Sequence, residues 1–138
     1  MDSVTIKSVR GGRTLLFDER KGEYFCVTLI GDSVSATKRV WGYTDTERLP
    51  ELFDSIAADW KGWKGKKEWK AIEGDLEIAA TSDRLGHVRL DIEIRNHDPE
   101  DDWSVTAPIF VDAGELETIA KKIRVYFKPS KNGQGGHR

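Results

Sequence analysis

Residues 60–94 read WKGWKGKKEWKAIEGDLEIAATSDRLGHVRLDIEI, and this stretch decides the fold. Apolar residues alternate with polar ones in two arms, at Leu76, Ile78 and Ala80 and again at Val88, Leu90, Ile92 and Ile94. Alternation with a period of two is typical of a strand with one buried face. The SDRLGH segment between the arms has the composition of a turn. The stretch therefore predicts an antiparallel hairpin that packs on a core.

The chain before this stretch predicts an antiparallel meander of four strands, at residues 4–9, 13–20, 23–31 and 33–41. Glycine-containing turns such as Gly11-Gly12 separate them, because glycine reaches positive φ without a steric penalty. The strand at 23–31 carries apolar residues on both faces, so we expect it to be covered on both sides. Its cysteine, Cys26, is then expected to be a buried and unreactive thiol.

Between the meander and the hairpin the apolar spacing becomes helical, at Leu49, Leu52, Phe53, Ile56, Ala57 and Trp60. This predicts an amphipathic helix over residues 49–60, with Pro50 near its start and Gly62 ending it. Trp60 is expected to point into the core.

After the hairpin, residues 103–111 predict a last strand, in which Pro108 indicates an edge position or a bulge. Asp112 and Glu115 have the spacing of a capping box and open a second helix, which runs to Phe127. The predicted order is β-β-β-β-α-β-β-β-α, a mostly antiparallel sheet with two helices packed on it in a two-layer α+β sandwich. Residues 1–128 are predicted to form a single domain, and residues 129–138 a disordered tail.

The composition describes a globular cytoplasmic protein. The 138 residues carry a formal net charge of -2, so a strongly basic nucleic-acid-binding protein is not indicated. The single cysteine favours a reducing compartment. No secretory signal and no apolar run of membrane-spanning length is visible, so a membrane partner is not expected.

Two segments are candidate binding sites. The first is the acidic loop at residues 96–102 with the tryptophan that follows it. A basic protein could bind there to Asp98, Glu100, Asp101, Asp102 and Trp103. The second is the basic aromatic segment at residues 60–70. A small ligand or a nucleic acid could bind there to Trp63, Lys64, Lys66, Lys67 and Trp69. For this second segment we favour a structural interpretation over a binding one. The tryptophans would pack between helix and sheet, and the aliphatic parts of the lysine side chains would cover their edges.

The sequence contains no recognisable catalytic or metal-binding motif. The histidines His87, His97 and His137 lack ligand spacing, and we predict no metal and no cofactor. An enzyme with dispersed carboxylates would depend on Glu73, Asp75 and Asp83, which equally suit turns and strand ends. A non-enzymatic protein is therefore predicted.

The central motifs resemble a family of small bacterial proteins of unknown function. The resemblance covers roughly residues 25–125 and rests on a helix ending in D-W-x-G-W, on the hairpin G-H-V, and on the later W-S-V and G-E-L-E-T-I-A. It implies a bacterial cytosolic origin and assigns no role to Trp60, Trp63, Trp69, Asp83, Gly86 or His87. Small α+β proteins without catalytic motifs are common among bacterial immunity proteins, which is an analogy of fold alone.

The leading hypothesis is a protein-binding module of bacterial origin, of the immunity or a regulatory type, whose partner is a protein. The alternative is a small-ligand or nucleic-acid binder that uses the basic aromatic segment. An obligate homodimer formed through an edge strand is compatible with both of these hypotheses and with the enzyme.

Overall fold

The structure is a computed structural model and describes residues 2–43, 46, 48–83 and 85–128. Within these residues the chain forms β1 (Ser3–Lys7), β2 (Thr14–Lys21), β3 (Tyr24–Ile30), β4 (Ser35–Trp41), α1 (Leu49–Ala58), β5 (Lys67–Lys70), β6 (Leu76–Ser82), β7 (His87–Asn96), β8 (Trp103–Asp112), a short 3-10 helix (Ala113–Glu115) and α2 (Leu116–Tyr126). The predicted tail at 129–138 lies outside the described residues.

The strands form two antiparallel four-stranded sheets, β1-β2-β3-β4 and β5-β6-β7-β8. The prediction of an α+β fold with mostly antiparallel strands and two helices is confirmed. The sequence prediction missed β5. Trp69, which is 6% exposed and pairs with Ile78, is the one buried residue of this four-residue strand, so no alternation marks it.

The two sheets meet where β1 ends beside β8. The amide N–H of Val9 donates to the carbonyl of Phe110 at 2.9 Å, and the amide of Phe110 donates to Ser8 Oγ at 2.9 Å. Arg13 Nε adds a bond of 2.9 Å to the carbonyl of Pro108. Since β8 is an edge strand of the second sheet, the edge position predicted for Pro108 is confirmed.

Both helices belong to one core with the buried faces of both sheets. At the end of α2, the ring centroid of Phe127 lies 5.5 Å from that of Phe17 and 5.1 Å from that of Phe25, both edge-on. Arg20 then fixes the end of α2, because its Nη1 donates to the carbonyls of Tyr126 and Lys128 at 2.9 and 2.6 Å. These contacts hold α2 on the first sheet.

Helix α1 ends at Ala58, two residues before the predicted end, and Trp60 is 53% exposed. The prediction that Trp60 points inward is therefore wrong. The amide of Gly62 bonds the carbonyl of Asp59 at 2.8 Å, and Gly62 adopts φ +116°, so the chain turns before Trp63 packs back on the core. A helical spacing cannot show that the helix has already ended.

Two further predictions are wrong in detail. Strand β3 is covered on one face only, since Tyr24 and Ile30 are 42% and 48% exposed on the other, and Cys26 on that other face is half-buried instead of buried. Asp112 precedes a turn of 3-10 helix instead of α2 itself and makes no side-chain cap bond there, and Glu115, which precedes α2, makes none either.

Candidate protein-binding surface

The face of the first sheet that points away from the core is open among the described residues. Along β3 the side chains of Phe25, Val27 and Leu29 are buried, while the alternate residues are half-buried or exposed. The same alternation continues in β4. We call this surface the outer face of the first sheet.

Three aromatic side chains gather at one end of the outer face. Tyr24 and Trp41 are direct partners in the β3–β4 register, so their rings lie on the same side of the sheet. Their ring centroids are 6.4 Å apart with planes 25° from parallel, and the ring of Tyr43 lies 5.4 Å from that of Trp41. Tyr24, Trp41 and Tyr43 are hereafter the aromatic cluster.

Charged groups hold the aromatic cluster in place. The guanidinium carbon of Arg39 lies 5.0 Å from the centroid of the Tyr24 ring, in the geometry of a cation–π contact. Trp41 Nε1 donates to Glu23 Oε1 at 3.0 Å, which satisfies the indole N–H. These contacts order the rings of Tyr24 and Trp41 within the chain itself.

Tyr43 has a strained backbone, with φ +48° in the left-handed region that bulky residues rarely adopt. The hydroxyl of Thr46 donates to the carbonyl of Tyr43 at 2.8 Å, and the amide of Thr46 bonds the carbonyl of Gly42 at 3.1 Å. A Cβ on Gly42 would collide with the Thr46 side chain. Strained backbone conformations cluster at functional sites, so the strain at Tyr43 is a reason to consider this end of the outer face as a site.

The sequence prediction missed this cluster, although a local signal for it exists. Alternation places Tyr24 on the other face of its strand from the buried Phe25, and Trp41 on the other face from the buried Val40. Both aromatic residues therefore lie on the outer face. That the two aromatic residues face each other depends on the β3–β4 register, which the sequence does not specify beyond its turn.

The acidic loop, with residues 98–102 exposed, is ordered by hydrogen bonds between its own side chains and backbone. Asp98 Oδ1 accepts from the amide of Glu100 at 2.9 Å, and Asn96 Nδ2 donates to the carbonyl of Asp101 at 2.7 Å. Among the described residues no ion pair neutralises the exposed carboxylates, which are Asp98, Glu100, Asp101 and Asp102. Trp103 is half-buried and packs against the core, so its exposed part alone could meet a partner.

The basic aromatic segment is divided between core and surface. Trp69 is buried, and Trp63 is half-buried with Lys67 Nζ 5.2 Å from its ring centroid. Lys67 Nζ is itself bound to Ser55 Oγ and Asp59 Oδ2, each at 2.7 Å. Lys64 and Lys66 are exposed. The exposed indole of this region is that of Trp60, with Lys61 Nζ 5.4 Å from its ring centroid.

His87 and His97 lie in different parts of the second sheet, and His137 falls outside the described residues. His87 Nδ1 lies 2.9 Å from Asp83 Oδ2, and its Nε2 lies 3.9 Å from Asp112 Oδ1. The amide of His87 is the first cause that lowers the pKa of Asp83 below its usual value, followed by the imidazole and by the amide of Leu85. Asp83 therefore organises the β6–β7 turn. His97 Nε2 lies 3.3 Å from the carbonyl of Gly74.

The three dispersed carboxylates are not brought together. Asp75 and Asp83 flank opposite ends of β6, and seven strand residues span roughly 20 Å. Asp75 is 7% exposed with Lys38 Nζ 4.0 Å from its carboxylate, whereas Glu73 is exposed.

The fold and this surface define a small α+β domain with a preformed aromatic cluster on an open sheet face. The chain belongs to the family of unknown function DUF6228, whose family model matches residues 7–130. The resemblance to an uncharacterised family is thereby confirmed. Neither a curated protein nor a solved structure matches the chain. Neither helix of the described part of the chain has the length and apolar character needed to cross a membrane.

Proposed function

We propose that this protein is a non-enzymatic protein-binding module that binds its partner through the aromatic cluster. The carrying observation is the group formed by the exposed Tyr24 and Tyr43 and the half-buried Trp41, whose ring stacks with that of Tyr24, with Arg39 against it. Tyrosine, tryptophan and arginine are the side chains that dominate binding energy at protein interfaces.

The geometry suits an anchor because the rings are already ordered. Tyr24 pays little conformational entropy on binding, since Trp41 and Arg39 fix its ring from two sides. Pre-organised aromatic side chains give large contact areas at low entropic cost. Farther along the outer face, beyond the Cys26–Arg39 pair, the hydroxyls of Thr28 and Thr37 lie 3.0 Å apart and would form a polar rim of the interface.

The acidic loop has a second part in the proposal, which is to speed association with a basic partner. Unpaired exposed carboxylates raise the rate of encounter more than the final affinity. Replacing both Asp101 and Asp102 by asparagine is expected to slow association several-fold at low salt and to leave dissociation nearly unchanged. Stopped-flow measurements at two salt concentrations test this, and an unchanged association rate would remove the loop from the proposal.

Within this class, a cytoplasmic immunity-type or regulatory protein of bacterial origin is the form that we propose. Such a protein acts by covering a surface of its partner, which requires an anchor and complementary charge and no chemistry of its own. The aromatic cluster and the acidic loop would supply these two features. The single cysteine supports a reducing compartment.

The test compares two tryptophans that differ in their place in the fold. The wild-type chain, Trp41→Ala and Trp60→Ala are each used to capture partners from the native host, and affinity for the captured protein is measured by calorimetry. Trp60 is the matched control, because it is 53% exposed and lies outside the aromatic cluster. Circular dichroism checks that both variants are folded.

The proposal predicts a partner at fixed stoichiometry that Trp41→Ala binds about 30-fold more weakly, the effect of a lost hot spot of roughly 2 kcal/mol. Trp60→Ala should bind like the wild type. Loss of binding in Trp60→Ala alone would instead favour the basic aromatic segment. Equal binding by all three chains would refute the aromatic cluster as the anchor.

A further inference from the structure

One row of side chains crosses the second sheet on the face that points away from the core. Thr81 pairs with Arg89 in the register of β6 and β7, and Arg89 pairs with Phe110 in the register of β7 and β8. Direct cross-strand partners lie on the same side of a sheet. Leu90 and Ile109, which follow or precede them in their strands, are buried, so the row faces outward.

A second arginine reaches this row from the turn between β1 and β2. The guanidinium carbon of Arg10 lies 4.1 Å from the centroid of the Phe110 ring, and that of Arg89 lies 5.6 Å from the same centroid. The turn is attached at this place, because the amide of Val9 donates to the carbonyl of Phe110 at 2.9 Å. Two guanidinium groups from distant parts of the sequence therefore meet at one aromatic ring.

The positive charge of these two arginines is only partly balanced. Arg89 Nε donates to Asp91 Oδ1 at 2.9 Å, and this bond leaves its two terminal nitrogens to other acceptors. The Arg10 guanidinium forms no ion pair with any of the described residues. Like charges held at one ring repel each other, and an anion between them would remove that repulsion.

A cleft of about 280 Å³ opens beside the two arginines, and its lining includes Arg10, Thr81, Asp83, His87, Arg89 and Phe110. The carboxylate in this lining already has its acceptors occupied. Asp83 Oδ1 accepts from the amides of Leu85 and His87 at 2.7 and 3.0 Å, and its Oδ2 lies 2.9 Å from His87 Nδ1. Asp112 lines the adjoining cleft on the side of His87 Nε2. The two guanidiniums and the Thr81 hydroxyl are thus the groups of this cleft that can donate to an anion.

We propose that this cleft binds a phosphate monoester, held between the guanidiniums of Arg10 and Arg89 with the hydroxyl of Thr81 as a further donor. Guanidinium groups bind phosphate through pairs of parallel N–H bonds, which are stronger than bonds between neutral groups. A carboxylate offers two oxygens, which one guanidinium satisfies, whereas a phosphate monoester offers three oxygens and nearly two negative charges. Donors from a turn and from two strands therefore fit a phosphate better than a carboxylate. The site lies on the second sheet and does not depend on the aromatic cluster of the first.

The experiment titrates the full chain with inorganic phosphate, phenyl phosphate, benzoate and a short phosphoserine peptide at constant ionic strength. Two-dimensional NMR follows the amide resonances of Thr81, Arg89 and Phe110, which report binding at the cleft. The variants are Arg10→Gln, Arg89→Gln and Thr81→Val. Arg95→Gln is the matched control, because Arg95 is exposed in the same strand and pairs with Glu93 much as Arg89 pairs with its own carboxylate.

We expect phenyl phosphate to shift the three resonances in a saturable way, and benzoate to bind at least tenfold more weakly. Arg10→Gln and Arg89→Gln should each weaken phenyl phosphate binding about tenfold, and Thr81→Val about threefold, as for lost charged and neutral hydrogen bonds. Arg95→Gln should bind like the wild type. Tighter binding of the peptide than of phenyl phosphate would assign the phosphate to a protein, and the reverse order to a small molecule.

Two results would overturn the proposal. One is the absence of saturable shifts with every phosphate compound. The other is an equal loss of affinity in Arg10→Gln and Arg95→Gln, which would reduce the effect to general attraction between charges. Arg10→Gln keeps the test valid if Arg89→Gln disturbs the sheet, because Arg10 lies in a turn and is exposed.

Discussion

The strained backbone of Tyr43 leads to a prediction that reverses the usual order of alanine and glycine. Tyr43 is replaced by glycine in one variant and by alanine in another, so that both lose the same ring contact with Trp41. The hydrogen bonds of Thr46 reach the backbone of Gly42 and Tyr43, and both variants keep them. The difference between the variants therefore isolates the cost of a Cβ at φ +48°.

The magnitude follows from two opposing effects. A Cβ in the left-handed region costs roughly 1–2 kcal/mol. Glycine loses about 0.4–1 kcal/mol more than alanine in unfolded-state entropy. Tyr43→Gly should therefore be more stable than Tyr43→Ala by about 0.5–1 kcal/mol, as the difference of these two terms.

The same pair of substitutions at Tyr24 is the matched control, because Tyr24 lies in β3 and has no positive φ. There alanine should be the more stable by about 0.5–1 kcal/mol. Urea unfolding of the four variants measures both differences. If alanine is as stable as glycine at position 43, the strain at Tyr43 does not exist and the account of how the cluster is held fails.

Three further predictions concern the parts that support the site. Asp83 has a lowered pKa, so its contribution to the stability of the fold is present above the ordinary carboxylate pKa of about 4 and is lost as pH falls through the lower folded value. Asp83→Asn should remove this acid dependence, which urea midpoints and the His87 amide resonance measure. Burial raises the pKa of Tyr126 to about 12, so its contribution to the free energy of unfolding should be full below pH 10 and fall by about 2 kcal/mol by pH 12. The difference in stability between the wild type and Tyr126→Phe, read from urea unfolding at each pH, should change by that amount over this range. Phe127→Ala should cost about 3–5 kcal/mol in urea unfolding because it empties an aromatic core site, whereas the exposed Val125→Ala should change stability by less than about 0.5 kcal/mol; a small effect at position 127 would contradict the packing of α2.

The predictions that succeeded depend on local periodicity. In β7 every second residue from Val88 to Ile94 is buried, and this alternation is visible in the sequence. It is visible because the face on which a strand residue lies follows from the residues next to it in the chain. The apolar stripes of α1 and α2 are visible for the same reason. Period and turn composition together were sufficient for the fold class.

What the sequence could not show depends on contacts between distant residues. Trp60, Trp63 and Trp69 are close in sequence and chemically identical, yet one is exposed, one half-buried and one buried, because the turn at Gly62 and the pairing of β5 decide each. The aromatic cluster requires the register of β3 and β4. The approach of Glu19 to Cys26 requires a β-bulge in β2, and no residue type in that strand predicts it.

Side-chain footprinting by hydroxyl radicals is the measurement that tests the central claim most directly. The oxidation rates of Tyr24, Trp41, Tyr43 and Trp60 are compared in the free chain and in its complex with the captured partner. Binding through the aromatic cluster predicts strong protection of Tyr24, Trp41 and Tyr43, with Trp60 oxidised at its free rate. Protection of Trp60 together with unchanged oxidation of the cluster would contradict the proposed function.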